Sequence, residues 1–268
     1  MPDPSNPLEA INPFSRAVVH LTMYFNAEPD LASPKRQKLG TGTGFIREIG
    51  QRYFLITARH NLTGRHPSNE KPISDTCGIP NEVLLEGYYN RLNIQLYTGA
   101  NNPNDLDSCP AVFRQHPTDP TIDLAVLPFT AASDWPIAWD ENFFDGGLNE
   151  RFIKLEVTQT CFVVGFPMDL VDRQDPHHVL PIYKTANIAS EPYLDFQGKP
   201  IVVIDATTRP GMSGSPVIIR EAHYGSYRHR FLGVYTGRFP RLAKGDDSAL
   251  GIVYKPKVIR EIFASMEL

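Results

Sequence analysis

Cysteine is scarce: the 268 residues hold 3, Cys77, Cys109 and Cys161, widely spaced and odd in number. They offer no disulfide framework, and such usage fits a reducing compartment, so a cytoplasmic setting is expected. They also lack the C-x-x-C spacing of a metal site. His177-His178, adjacent in a polar stretch after Asp175-Pro176, read as a solvated loop, and neither a metal nor a cofactor is expected. No apolar run reaches the ~18 residues that a membrane-spanning helix needs. The opening Met1-Pro2-Asp3-Pro4-Ser5-Asn6-Pro7 has neither the basic region nor the apolar core of a secretory leader. Positive charge is not in excess either. The 26 Lys and Arg face 30 Asp and Glu for a net charge of −4, which leaves no electrostatic footprint for nucleic acid. Nucleic acid and membrane are therefore not expected partners.

What the chain does have is a succession of short β-branched and aromatic runs separated by Gly, Pro, Asn and Asp, which reads as all-β. Strands are expected at 18–24, 43–49, 52–57, 91–97, 111–115 and 122–128, with a hairpin turning at Gly50-Gln51. A second series follows at 159–166, 179–188, 200–208, 215–220, 230–237 and 249–254. Two series of six suit two barrels, over residues 16–128 and 159–256. The linker between them, 129–158, carries Trp135, Trp139, Gly146 and Gly147 without periodicity. Apolar residues at 258, 259, 262, 263 and 266 follow helical spacing and predict a C-terminal helix over 257–268, packed on the second barrel. The stretch 64–90, with Pro67, Pro72, Gly78 and Pro80, reads as a long surface loop. Lys35-Arg36-Gln37-Lys38 reads as a solvated basic loop.

One segment carries chemistry. Arg209-Pro210-Gly211-Met212-Ser213-Gly214-Ser215-Pro216 sets a serine on a glycine-flanked turn directly before the apolar run Val217-Ile218-Ile219. Such a turn exposes a hydroxyl and leaves backbone N–H groups free to face a carbonyl. A serine is a weak nucleophile without a base and a group that orients the base. Leu55-Ile56-Thr57-Ala58-Arg59-His60 ends an apolar run in a histidine. Thr121-Ile122-Asp123-Leu124-Ala125-Val126-Leu127 sets an aspartate into another, where a buried carboxylate is costly unless a partner meets it. Cys161 reads as a small apolar core residue. Asn61-Leu62-Thr63 matches a glycosylation acceptor by accident of composition, because a glycan there would obstruct His60.

The ordered set Gly42-Thr43-Gly44-Phe45, Ile56-Thr57-Ala58-Arg59-His60, Asp123-Leu124-Ala125-Val126-Leu127, Gly165-Phe166-Pro167 and Gly211-Met212-Ser213-Gly214-Ser215-Pro216 resembles trypsin-like serine peptidases. It is most similar to their bacterial branch of glutamyl endopeptidases and HtrA/Deg peptidases, over roughly residues 16–263. The resemblance implies a chymotrypsin-like fold of two perpendicular six-stranded β-barrels with the active site between them. It implies a triad of His60, Asp123 and Ser213, an oxyanion hole from the N–H groups of Gly211 and Ser213, and no cofactor. Thr207, Thr208, Tyr235, Thr236 and Arg238 would line or rim the specificity pocket. With Thr207 where trypsin-type enzymes hold an acid, a polar or acidic P1 residue is expected. A protein or peptide substrate would add as an extended strand to an unpaired edge of strand 231–237. Met212 departs from the usual Asp or Asn, and Asn61 stands where secreted relatives carry cysteine. Two rivals share the fold: a catalytically idle peptide-binding module, and a peptidase gated by a regulatory protein partner.

Overall fold

The computed structural model describes residues 11–27, 35–50, 52–88, 90–98, 109–130, 135, 153–175, 178–239 and 249–266. The apolar runs of the N-terminal half become β1 (Val18–Asn26), β2 (Arg36–Ile49), β3 (Arg52–Thr57), β4 (Glu82–Glu86), β5 (Arg91–Gln95), β6 (Arg114–Gln115) and β7 (Ala125–Phe129). They form one antiparallel sheet in the order β5-β4-β1-β2-β3-β7-β6. The sheet curls until the chain after β5 meets the chain before β6 at a bridge between Tyr97 and Ala111. The hairpin turns at Gly50 as expected, with Ile49 opposite Arg52 and Gly50 at φ +54°.

Two expectations for this half are corrected. The sheet has seven strands rather than six, because β4 lies inside the stretch read as loop. Its five residues are all buried, so no alternation marks them, and Pro80 and Gly87 close on either side. The basic run 35–38 is also no loop. From Arg36 it is the first part of β2, and each of two cations meets a carboxylate, Arg36 with Glu82 and Lys38 with Asp169.

The second half contains β8 (Thr160–Gly165), a small hairpin of β9 (Asp172–Asp175) and β10 (His178–Leu180), then β11 (Ile182–Ile188), β12 (Ile201–Asp205), β13 (Ser215–His223), β14 (Ser226–Arg238) and β15 (Leu250–Tyr254). Six of these close a barrel in the order β11-β12-β15-β14-β13-β8. The run 179–188 was expected as one strand and splits at Pro181, which has no N–H to give a ladder. Closure shortens the expected free edge. β14 pairs with β13 on one side through Tyr235, and with β15 on the other from Val234 to Arg238. The β13 ladder ends at Ser215 opposite Tyr235, so only 236–238 continue past it.

Short helices α1 (Pro13–Ala17) and α2 (Arg59–Thr63) flank the first sheet, and α3 (Pro256–Ala264) ends the described chain. Among the described residues no helix is long and apolar enough to cross a membrane. Three apolar layers result. One fills the curled sheet around Leu21, Ile46, Leu55 and Leu85. One fills the closed barrel around Val163, Val202, Val217 and Leu232. The third joins the two halves, with Phe45 and Phe54 of the sheet, Phe166 and Phe231 of the barrel, and Ile262 and Phe263 of α3. Thus α3 packs on both halves: Phe263 meets Phe54 edge-on at 5.2 Å and lies under Arg47. Of the expected linker 129–158, most residues, including Trp139, Gly146 and Gly147, lie outside the described residues. Trp135 is buried against Phe129.

The price of β4 is a buried charge. Glu82 is fully buried; its Oε1 lies 2.6 Å from Arg36 Nη2, and its Oε2 accepts from Asn26 Nδ2 at 3.0 Å. Removing the guanidinium alone strands that carboxylate. Arg36→Met is expected to destabilise the protein by about 3 kcal/mol in urea unfolding, and Arg36→Met with Glu82→Leu to recover most of that loss.

Candidate active site

Asp123 precedes β7 and is buried, and both its carboxylate oxygens go to one residue. Oδ1 accepts the backbone N–H of His60 at 3.0 Å, and Oδ2 lies 2.7 Å from His60 Nδ1. The backbone carbonyl of Asp123 accepts from Arg59 N–H at 3.2 Å. The Tyr254 hydroxyl, whose pKa burial pushes up, meets the Asp123 backbone from the other barrel. With Nδ1 held by the carboxylate, the imidazole presents Nε2 as its free nitrogen. α2 exists to aim that ring. It is one turn long and stops at Gly64, which takes φ +64° and returns its N–H to the His60 carbonyl.

Ser213 sits on the turn before β13, half-buried, and lines the same cleft as His60, Asn61 and Gly211. In this substrate-free arrangement no hydrogen bond closes between its hydroxyl and His60 among the described residues, and such contacts commonly tighten only when substrate enters. Its backbone is fixed. The Ser213 carbonyl accepts from Thr43 N–H at 2.9 Å and from Asn61 Nδ2 at 2.8 Å. Ser215, the neighbouring hydroxyl, is fully buried and does not line the cleft, and its Oγ has no hydrogen-bond partner among the described residues.

The turn itself is held from behind. Gly211 takes φ +92°, and a Cβ there would lie 2.4 Å from the Phe166 carbonyl oxygen. The Pro210 carbonyl accepts from Met168 N–H at 2.6 Å. A trans peptide points its N–H opposite its C=O, so the Gly211 N–H faces away from Met168. The Gly211 carbonyl accepts from Thr43 Oγ1 at 2.8 Å, and that hydroxyl accepts from Phe166 N–H at 3.1 Å. Met212 is fully buried in the interior of the closed barrel, so apolar packing anchors the turn.

Of the residues expected around the specificity pocket, the structure joins two. Thr208 Oγ1 and Tyr235 Oη lie 2.5 Å apart, both buried, and the Gly214 N–H donates to the Tyr235 carbonyl at 2.8 Å. Thr207 is exposed, Thr236 buried and Arg238 half-buried at the end of β14. Sequence reasoning gave no role to Thr43, Asn61 or Met168. Thr43 stood in a quoted motif, but only the fold shows its hydroxyl against Gly211. Asn61 is buried with its amide donating to Thr57 Oγ1 and the Ser213 carbonyl, which explains its place after the histidine. Of His177-His178, His177 lies outside the described residues.

The sequence matches the trypsin-like peptidase domain over residues 42–223. The chain belongs to the trypsin-like peptidase family. Solved structures with a similar fold include the Rv3671c protease of M. tuberculosis in its active form, 18% identical with a TM-score of 0.50 over 100% of this chain and 88% of that one. The inactive form of Rv3671c is 16% identical, with a TM-score of 0.49 over 100% and 98%. No curated protein matches the sequence.

Thr43 gives this trypsin-like peptidase domain a sharp test. Thr43→Val leaves the Phe166 N–H and Gly211 carbonyl buried without the hydroxyl. It is expected to lower kcat/KM on ester or peptide substrates by about 10- to 100-fold and stability by about 1–3 kcal/mol. Thr43→Ser, which keeps the hydroxyl, is expected to restore most of the activity.

Proposed function

We propose that the chain is a serine endopeptidase that cleaves through an acyl-enzyme formed on Ser213. The observation that carries this reading is the double contact of Asp123 with His60, in a cleft that also holds Ser213 and Gly211. In this reading Ser213 Oγ attacks the scissile carbonyl while His60 Nε2 takes its proton. The tetrahedral oxyanion lies against the N–H groups of Gly211 and Ser213. On collapse His60 returns the proton to the leaving amine, and water then repeats the sequence on the acyl ester. Asp123 keeps the imidazole in the required tautomer and stabilises the imidazolium.

The acyl side of an extended substrate would pair with 236–238, the part of β14 past its last β13 partner. The neighbouring hydroxyls of Thr208 and Tyr235 supply polar groups near its P1 side chain, and Thr207 supplies no negative charge there. Arg238 and Arg209 add positive charge nearby. A polar or acidic P1 residue follows from that chemistry, and a positional peptide library with a Lys, Arg or large apolar P1 optimum would overturn it. A reducing, cytoplasmic setting is in keeping with the cysteines: Cys77, Cys109 and Cys161 are all free thiols, and burial pushes Cys161 up to about 12.

Active-site labelling with a fluorophosphonate tests the assignment. Wild type and Ser215→Ala are expected to label, Ser213→Ala not at all, and His60→Ala at a rate lower by at least about 100-fold. Asp123→Asn is expected to lose on the order of 10⁴-fold in turnover with the fold intact. A well-folded wild type that does not label contradicts a preassembled triad and returns the chain to the gated or idle reading.

A further inference from the structure

We infer that this chain carries an apolar subsite for the residue that follows the scissile bond, built by the segment 64–81 against β1 and β2. The inference rests on the serine-endopeptidase reading and extends it to the leaving-group side. The cleft at Ser213 opens into a cavity of about 190 Å³ walled by Met23, Leu39, Ile73 and Pro80, with Gly64 and Gly78 between them. His60 and Ser213 line it too. Among the described residues, none of Thr207, Thr208, Tyr235, Thr236 and Arg238 lines it, and no Asp, Glu, Lys or Arg does. A substrate whose acyl side runs along 236–238 must carry its other half across His60, the group that returns a proton to the leaving nitrogen. That half enters this cavity.

The wall is built rather than loose. The Ile73 N–H donates to the Gly64 carbonyl at 2.8 Å, closing residues 64–73 at their base. At the tip, Glu70 turns back onto Arg59. Its carboxylate accepts from both terminal nitrogens of a guanidinium that is itself buried. Arg59 is the residue before His60, so the loop and the catalytic imidazole share one short helix. Gly64 and Gly78 permit the close approach. A Cβ at Gly64 would lie 2.5 Å from Pro80 Cδ, and one at Gly78 would lie 2.7 Å from Leu39 Cδ2. Ile73, by contrast, is 49% exposed, a large aliphatic side chain left with one face open toward the cleft. An apolar side chain covers it at a gain, whereas a charged one loses hydration with no partner of opposite sign among the described residues.

Acyl transfer tests this on the whole protein without reference to P1. A p-nitrophenyl ester that the protein hydrolyses acylates Ser213 with release of nitrophenol, and an added amino-acid amide then competes with water. The amine nitrogen bonds to the acyl carbon, the ester bond to Ser213 Oγ breaks, and the amine proton passes through His60 to Oγ. Leucinamide is expected to capture the acyl group on the order of tenfold better than glycinamide, and aspartic acid amide no better than glycinamide. Ile73→Ser, at an exposed position, is expected to erase most of the leucinamide advantage over glycinamide, a ratio read on the acyl-enzyme and so independent of the acylation rate. Glu70→Ala, which frees the loop tip, is expected to weaken it. Equal capture of leucinamide and glycinamide, or an advantage that survives Ile73→Ser, overturns the subsite while leaving the serine-endopeptidase reading intact. Failure to form any acyl-enzyme overturns both.

Discussion

Thr43 is the joint on which the site depends. Its N–H donates to the Ser213 carbonyl, its carbonyl accepts from Thr57 Oγ1 at 2.7 Å, and its hydroxyl bridges the Gly211 carbonyl and the Phe166 N–H. One residue of β2 in the curled sheet therefore spends all its hydrogen-bonding groups on positions that decide where the serine turn of the barrel lies. All of these bonds are shielded from water, where hydrogen bonds are strongest and an orphaned partner costs most. Gly214 completes the fit: with φ +92°, its Cα packs so close that a Cβ would lie 2.0 Å from the Thr43 carbonyl oxygen. The histidine and aspartate belong to the sheet and the serine to the barrel, and the hydrogen bonds of Thr43 tie the two together.

A second tie across the seam is ionic. Residues Pro167–Asp169 turn with positive φ at both Met168 and Asp169, conformations that side-chain-bearing residues adopt at some cost. Asp169 is held there from the sheet, by Lys38 of β2 and by His20 of β1, whose Nε2 lies 2.8 Å away. Burial raises the Asp169 carboxyl, and the Lys38 and His20 contacts more than offset it, so its pKa falls below the usual range. The other face of His20 meets Glu86 of β4, itself held low by His20 and Arg173. These contacts keep Met168 where its N–H meets the Pro210 carbonyl, and that bond in turn sets the direction of the Gly211 N–H. The missed strand β4 and the misread basic run are thus parts of the scaffold behind the serine turn.

How much of this was legible in the sequence depends on range. Features written locally were readable: the Gly50 hairpin, the 3.6-residue spacing of Val258, Ile259, Ile262 and Phe263, and the glycine that gives the serine turn its positive φ. The closeness of His60 and Asp123 was readable too, because an aspartate in an apolar run demands a partner. Features written in long-range pairing were not. β4 is five buried residues with no alternation, and its glutamates look like surface charge until Arg36 and Asn26 arrive from strands far off in sequence. Barrel closure, which leaves only 236–237 of the free edge expected at 231–237, is a property of six strands together. The hydroxyl of Thr43 faces a glycine 168 residues away, and no local pattern encodes that.

The central claim is that the seam holds the Gly211 N–H toward the cleft before substrate arrives. A crystal structure of the protein with a phosphonate bound at the active site tests it most directly. The account predicts an adduct on Ser213 Oγ, with a phosphonyl oxygen about 2.7–3.1 Å from the N–H groups of both Gly211 and Ser213, and the Met168–Pro210 hydrogen bond retained. A Pro210–Gly211 peptide turned over, with its carbonyl facing the adduct, would contradict it, as would an adduct on any other side chain.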